Sequence, residues 1–192
     1  MLLLIKYTLL YGIVLMLVAL GGMFSEHSGV INIALEGIMV VGGLAGVLVT
    51  ASLPTTMAPA LIVLAAVVAA AVCGMLYSLL LAFASINLKA DQTIGGTALN
   101  LLAPALVLFF IRIIANQNTL QMLTGDAASW FMIKKSTLGI DKNTDLGFFG
   151  ETFVNKVYLA TYVCILLFII LSILLYKTRF GLRLRACGEN PQ

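Results

Sequence analysis

The sequence predicts an all-α integral membrane protein, a bundle of about five transmembrane helices. Of its 192 residues, 61% are hydrophobic and only 10% are charged, whereas soluble domains carry about 25% charged residues. Several apolar runs reach the ~20 residues that are needed to cross about 30 Å of hydrocarbon. These runs are unbroken rather than alternating, so they indicate helices and not the strands of a barrel.

The apolar runs also set the order of the elements. The run after Lys6 has the charged start and apolar core of a signal peptide, but LGGMFSEH is a poor cleavage site and further spans follow, so a retained helix is favoured. A long polar segment precedes the last run, and a basic segment follows it. The predicted spans are about 7–24, 30–50, 59–84, 93–115 and 157–176, with a polar extramembrane segment at 116–155 and a basic cytoplasmic coupling loop at 177–192.

The basic segment gives the orientation. Its positive charges crowd against one end of the last span, which indicates the cytoplasmic side. They are Lys177, Arg179, Arg183 and Arg185. Lys89 then falls on the same side, and the N-terminus and the segment 116–155 fall outside. That long segment carries three lysines, but long loops weigh less in this rule.

Glu36 is the most informative single residue. An ionisable side chain at the bilayer centre costs about 2.5–3.5 kcal/mol, so it usually faces a bundle interior or an aqueous path. A position in the first turns of its helix, near the head groups and the positive end of the helix dipole, explains Glu36 equally well. Asn32 and Asn100 are uncharged, and a hydrogen bond to another helix, worth about 0.6 kcal/mol, is the favoured role for each.

Glycines mark places where helices pack or weaken. Gly42 and Gly46 have the G-x-x-x-G spacing that lets two helix backbones approach closely. Gly95 and Gly96, followed by Pro104, fit either a broken helix that exposes backbone groups to a substrate or packing around a kink. The packing interpretation is favoured.

The C-terminal segment predicts a short amphipathic helix. Phe180, Leu184 and Cys187 recur at i, i+4 and i+7 and form a narrow apolar face, and Gly188 with the pair 190–191 stops the helix. Such a helix lies on anionic lipid or docks into a groove on a soluble partner. Physical chemistry alone favours lipid.

Three stretches resemble the permease subunit of an ATP-binding-cassette (ABC) importer. SGVINIALEGIM at 28–39 is similar to the signature of its nucleoside-type members, and GLRLRACGENPQ at 181–192 is similar to the cytoplasmic loop that these permeases present to their ATPase. ADQTIGGTALNLLA at 90–103 adds a weaker match. The class moves simple sugars, nucleosides and branched-chain amino acids. Its chains continue through further helices after GENP, so the resemblance implies the N-terminal part of a permease, truncated at its C-terminus.

The resemblance implies a transport subunit of a bacterial plasma (inner) membrane, with no catalytic, metal or cofactor site of its own. It would form the path of an ATP-driven importer for a nucleoside or simple sugar, and ATP would be bound by partner subunits. The chain has no G-x-x-x-x-G-K-[ST] loop, which fits that division of labour. The implied partners are cytoplasmic ATP-binding subunits, a second permease subunit, an extracytoplasmic solute-binding protein and membrane lipids. A net charge of +3 without interleaved aromatic residues gives no indication of nucleic acid.

The resemblance also assigns roles to residues. It implies a translocation path near Asn32, Glu36 and Asn100. It implies an ATPase-coupling loop containing Arg179, Gly181, Arg183, Arg185, Gly188, Glu189, Asn190 and Pro191. An ion-coupled secondary transporter that uses Glu36 or Asp91 is the alternative. A membrane enzyme is disfavoured, because the single histidine, His27, has only Glu26 beside it.

Overall fold

Long apolar helices dominate the structure. The computed structural model describes residues 2–54, 57–115, 132–133, 147–153 and 157–189. The described elements are α1 (Leu2–His27), α2 (Leu35–Ser52), α3 (Pro59–Ile86), α4 (Gln92–Ala115), β1 (Met132–Ile133), α5 (Gly147–Phe153), β2 (Val157–Tyr158), α6 (Leu159–Lys177) and α7 (Arg179–Glu189). Five of these helices, α1 to α4 and α6, are long and apolar enough to cross a membrane. The predicted all-α membrane architecture is therefore confirmed.

The chain divides into two compact units. The first comprises the described residues of 1–21 and 129–183. Its two strands pair antiparallel, with Met132 opposite Tyr158 and Ile133 opposite Val157. Within it, Leu175 is fully buried at the end of α6. Thr178 then begins α7 as its N-cap, because its hydroxyl accepts the backbone N–H of Gly181 at 3.3 Å in place of a helical partner.

The second unit comprises the described residues of 22–128 and 184–192, and close backbone contact between α2 and α3 forms its centre. A Cβ atom placed on Gly42 would lie 3.0 Å from the carbonyl oxygen of Ala70, and one on Gly46 would lie 3.4 Å from that of Ala66. Helices approach this closely only where side chains are small. Across α3 and α4, the Tyr77 hydroxyl donates to the carbonyl of Leu99 at 2.7 Å.

One sequence interpretation needs correction, and one alternative is excluded. The apolar run predicted a helix from about residue 30, but α2 begins at Leu35 and residues 28–34 form a non-helical connection, the α1–α2 loop. The Asn32 side chain accepts the backbone N–H of Ala34 at 3.0 Å, and such local bonds compete with helix formation. In α4, the helix runs without a break through Pro104, which excludes the broken-helix alternative and leaves the favoured packing interpretation.

Candidate functional site

The α1–α2 loop leaves α1 through a tight turn. Gly29 has a φ of +88°, a conformation that glycine adopts without strain. Its N–H donates to the carbonyl of Glu26 at 3.0 Å, and the N–H of Val30 donates to that of Ser25 at 3.2 Å. The Ser25 hydroxyl also donates to the carbonyl of Val30 at 2.7 Å. Several internal hydrogen bonds therefore hold residues 25–30 together as one turn.

The rest of the loop is held by side chains of α4. The N–H of Ile31 donates to the Gln92 side-chain oxygen at 2.8 Å. Asn100 uses both ends of its amide: its Oδ1 accepts the N–H of Gly37 and its Nδ2 donates to the carbonyl of Ile33, each at 2.7 Å. The first N–H groups of a helix have no acceptor within the helix, so Asn100 satisfies one of them at the start of α2.

These contacts place the start of α2 deep alongside α4. Gln92 is the first residue of α4, and Asn100 lies about 12 Å further along its axis at 1.5 Å per residue. The loop therefore runs beside the first two turns of α4, and α2, with 18 residues, is shorter than the 24 residues of α4. Within hydrocarbon, non-helical backbone is tolerated only where protein buries it or water lines it. At the start of α2, the non-helical backbone therefore needs either burial by protein or contact with water.

Close packing at this point depends on small residues. A Cβ atom on Gly37 would lie 3.0 Å from Oδ1 of Asn100 and 3.1 Å from the Cβ of Ala103. A Cβ atom on Gly96 would lie 2.9 Å from the Cβ of Ile33. The loop and α4 therefore meet through backbone. Within α4, the carbonyl of Asn100 has no helical N–H partner, because the residue four positions on is Pro104, which has no N–H.

The structure brings the three predicted path residues to the same helix start. Asn32 and Asn100 are half-buried, and their amides bind backbone groups of the loop and of the first turn. Glu36 is exposed in the first turn of α2. This is the second of the two positions that the sequence allowed for it, at the start of its helix. There a carboxylate is favoured by the helix dipole. The two asparagines bind backbone groups, whereas the Glu36 side chain is exposed at the same helix start.

Asp91 caps α4 at the same side of the unit. Its carboxylate accepts the backbone N–H groups of Thr93 at 2.7 Å and Ile94 at 3.3 Å. These hydrogen bonds to the ionised form hold the pKa of Asp91 below its usual value. The capping role accounts for this carboxylate without ion coupling.

The basic C-terminal helix makes its closest backbone contacts through glycines. Phe180 and Cys187 are exposed, while Gly181 is buried and Leu184 and Gly188 are half-buried. The apolar face of Phe180, Leu184 and Cys187, expected to contact lipid or a soluble partner, stays a prediction, and the structure adds close packing at Gly181 and Gly188, which have no side chain. Arg179, Arg183 and Glu189 are exposed and Arg185 is half-buried, and Asn190 and Pro191 lie outside the described residues.

Sequence reasoning missed three residues that hold the site together: Gln92, Gly37 and Tyr77. Gln92 stands directly after the capping Asp91, and a polar side chain at the first position of a spanning helix is a usable signal. Gly37 follows Glu36 within the stretch that carries the resemblance. Tyr77 lies inside a uniformly apolar run, and a tyrosine there indicates a hydroxyl that needs a partner.

Comparison with known proteins decides the family. Residues 4–192 match the family described as the permease component of branched-chain amino acid transport systems. The chain belongs to this family. It is 36% identical over 187 residues to the nucleoside ABC transporter permease protein NupC of Lactococcus lactis subsp. cremoris, covering 96% of this chain and 55% of that protein. It is 38% identical over 187 residues to the guanosine ABC transporter permease protein NupQ of Bacillus subtilis, with the same coverage. No solved structure matches the chain.

Membership of the permease family confirms the resemblance found in the sequence and a multi-pass membrane protein. The chain spans about half the length of the curated relatives that it matches. The helices described above therefore correspond to one part of such a permease. The predicted bacterial plasma membrane fits this family, and the family match gives no support to the ion-coupled alternative.

Proposed function

We propose that this chain forms part of the transmembrane path of an ATP-driven importer and that the path passes the start of α2. The observation that carries this proposal is the non-helical α1–α2 loop held beside the first turns of α4 by Gln92 and Asn100. Non-helical backbone and helix ends at membrane depth offer N–H and C=O groups and helix dipoles, as the unwound segments of discontinuous helices do at the substrate sites of transporters.

The chemistry of the site suits a small, neutral, hydroxyl-rich solute. The carboxylate of Glu36 is an acceptor only, so it pairs with hydroxyl groups such as those of a ribose. The first N–H groups of α2, apart from that of Gly37, which Asn100 accepts, point toward the helix start and pair with acceptors of a base or sugar. In this proposal, Asn32 and Asn100 act as positioning residues that fix the loop, and Glu36 contacts the solute.

A nucleoside is the favoured substrate, and a simple sugar is the second candidate. Two relatives that match 96% of this chain are named as nucleoside and guanosine permease proteins. Nucleosides and sugars share vicinal hydroxyl groups that one carboxylate accepts in pairs. A site that selects nucleosides over sugars must recognise the aromatic base as well as these hydroxyl groups.

ATP hydrolysis by separate cytoplasmic subunits would supply the energy. The exposed basic and apolar side chains of α7 support a docking role for this helix, with Phe180 at 59% and Leu182 at 63% exposure beside Arg179 and Arg183. A second permease subunit and an extracytoplasmic solute-binding protein complete the proposed importer. Because the last turn of α7 contacts the turn after α1, both lie at one membrane face, which supports the cytoplasmic placement of each.

Uptake of a labelled nucleoside tests the function. The intact gene product, reconstituted in vesicles with its ATP-binding and solute-binding partners, is expected to accumulate guanosine only when ATP reaches the ATP-binding subunits. A protonophore is expected to have no effect. Uptake without ATP that follows a proton or sodium gradient would contradict the proposal and favour ion coupling.

A substitution that removes the charge but keeps the shape of the side chain tests the role of Glu36. Glu36→Gln removes the acceptor-only carboxylate. Because one or two hydrogen bonds to a charged group are then lost, the KM for guanosine is expected to rise by about 10-fold or more. Glu26→Gln is the matched control, since Glu26 is also exposed but lies at the end of α1. Equal KM values for the two variants would remove Glu36 from the path.

A further inference from the structure

The last turn of α7 lies directly against the turn that follows α1. A Cβ atom on Gly188 would lie 3.0 Å from the backbone nitrogen of Gly29 and closer still to the carbonyl oxygen of His27. A Cβ atom on Gly29 would lie 3.3 Å from the Cα of Gly188. The two segments therefore meet backbone to backbone, with no side chain between them.

This contact is stiff on its α1 side. The turn at residues 25–30 is closed by the backbone and Ser25 hydrogen bonds described above, and the Ser28 hydroxyl adds a bond to the carbonyl of Ser25 at 2.6 Å. A turn with this many internal bonds moves as one body. A push at Gly29 is therefore passed along the chain and is not absorbed within the turn.

The far side of the turn leads straight to the proposed path. Ile31 and Ile33 follow within the same loop and are bonded to Gln92 and Asn100. Asn100 in turn bonds Gly37 in the first turn of α2. Packed backbone and hydrogen bonds thus connect Gly188 with the start of α2 without a gap, as a contiguous network requires.

We infer that the contact between Gly188 and Gly29 transmits movement of α7 to the start of α2. The inference rests on the proposed function, in which α7 receives the ATP-binding subunit. When α7 shifts, its last turn displaces the turn at 25–30, and the hydrogen bonds of Gln92 and Asn100 to the loop are remade around the displaced backbone. Gly29 and Gly188 are positioning residues in this scheme, and the contact persists throughout the cycle.

The ratio of solute transported to ATP hydrolysed tests the link. In the reconstituted importer, Gly188→Val inserts a branched side chain where even one Cβ lacks room. It is expected to lower this ratio by at least about threefold, within the range by which residues along a coupling network act. Copurification of the ATP-binding subunits is measured in parallel, so that a loss of docking is told apart from a loss of coupling. Ala186→Val, at an exposed position of the same helix, is the matched control.

The outcomes separate the link from the function on which it rests. An unchanged ratio in Gly188→Val overturns the link alone, provided that the unsubstituted importer takes up guanosine with ATP. Loss of the ATP-binding subunits from Gly188→Val also overturns it, because the contact would then serve docking. No ATP-dependent uptake by the unsubstituted importer overturns both proposals.

A cross-link tests the persistence of the contact without altering either glycine. Cys187 and Ser28 each neighbour one of the two glycines, so their Cα atoms lie within about 12 Å of each other. In a chain with Cys73→Ala and Cys164→Ala, Ser28→Cys is expected to join Cys187 through a thiol-specific linker of about that span. The joined peptides, detected by mass spectrometry, are expected in equal yield with and without ATP. A yield confined to one nucleotide state, or no joined peptide, contradicts a contact that persists.

Discussion

Asn100 is the side chain whose removal most directly tests how the start of α2 is held. Asn100→Ala deletes two hydrogen bonds, one to the N–H of Gly37 and one to the carbonyl of Ile33. Each bond is worth about 0.5–1.5 kcal/mol net, and bonds between membrane helices average about 0.6 kcal/mol. The pair therefore contributes about 1–3 kcal/mol. For a chain of this size, 1 kcal/mol shifts Tm by about 2–4 °C, so Tm is expected to fall by about 2–12 °C.

Thermal unfolding in detergent, followed by the reactivity of the half-buried Cys73 and Cys164, measures this effect. Thr97→Ala is the control, because the Thr97 hydroxyl bonds only within α4, to the carbonyl of Thr93 at 2.7 Å, and lies one turn from Asn100. Its Tm is expected to stay within about 1–2 °C of the unsubstituted chain. Equal Tm values for Asn100→Ala and Thr97→Ala would show that the asparagine does not hold α2, and would refute the role assigned to it.

Three further substitutions test other contacts of the second unit. Gly42→Leu forces a side chain against α3 and is expected to cost about 1–3 kcal/mol in unfolding free energy, whereas Gly43→Leu, with nothing within 4 Å of its Cβ position, should be nearly neutral by chemical unfolding. Tyr77→Phe removes the hydroxyl bond to α4 and is expected to lower stability by about 1 kcal/mol in the same assay. Asp91→Ala is expected to lower Tm at pH 7, while Asp91→Asn, which caps the helix without a charge, is expected to lower it less. Because the folded-state pKa of Asp91 lies below its ordinary 3.8, the contribution of its charge is present above about pH 4 and is lost as the pH falls through the lower folded value, which a pH series of Tm values detects.

The number of spanning segments and their helical structure follow from the sequence, because the backbone has few ways to satisfy its hydrogen bonds within a membrane. An apolar run of spanning length must satisfy its own hydrogen bonds, and a helix does this within one segment. The same reasoning fails at the start of α2. VINIAL is as apolar as the helix that follows it, so hydropathy cannot show that residues 30–34 are non-helical.

The signals that end the helix early are tertiary. Asn100 lies 63 residues from the Gly37 N–H that it accepts, and Gln92 lies 61 residues from Ile31. No local pattern contains such a pair. The sequence did contain the local part of the answer, since Asn32 is a residue type whose side chain commonly binds backbone two residues on.

The residues through which α7 packs within the protein were not predicted, for a related reason. Hydrophobic periodicity counts side chains, and it describes the apolar face of Phe180, Leu184 and Cys187 but not the closest backbone contacts. In the structure, Gly181 and Gly188 make the closest approaches because they have no side chain to keep two backbones apart. Glycines within an amphipathic helix therefore need to be treated as possible contact positions.

Substrate protection of a single cysteine tests most directly whether the path passes the start of α2. In a chain without native cysteines, Glu36→Cys is expected to react with a water-soluble methanethiosulfonate reagent, and saturating guanosine is expected to slow the reaction by about fivefold or more, as expected for a site that is mostly occupied. Thr97→Cys, exposed on α4, provides the comparison and should show no protection. A Glu36→Cys thiol that does not react, or reacts equally fast with and without guanosine, would contradict a path at this position.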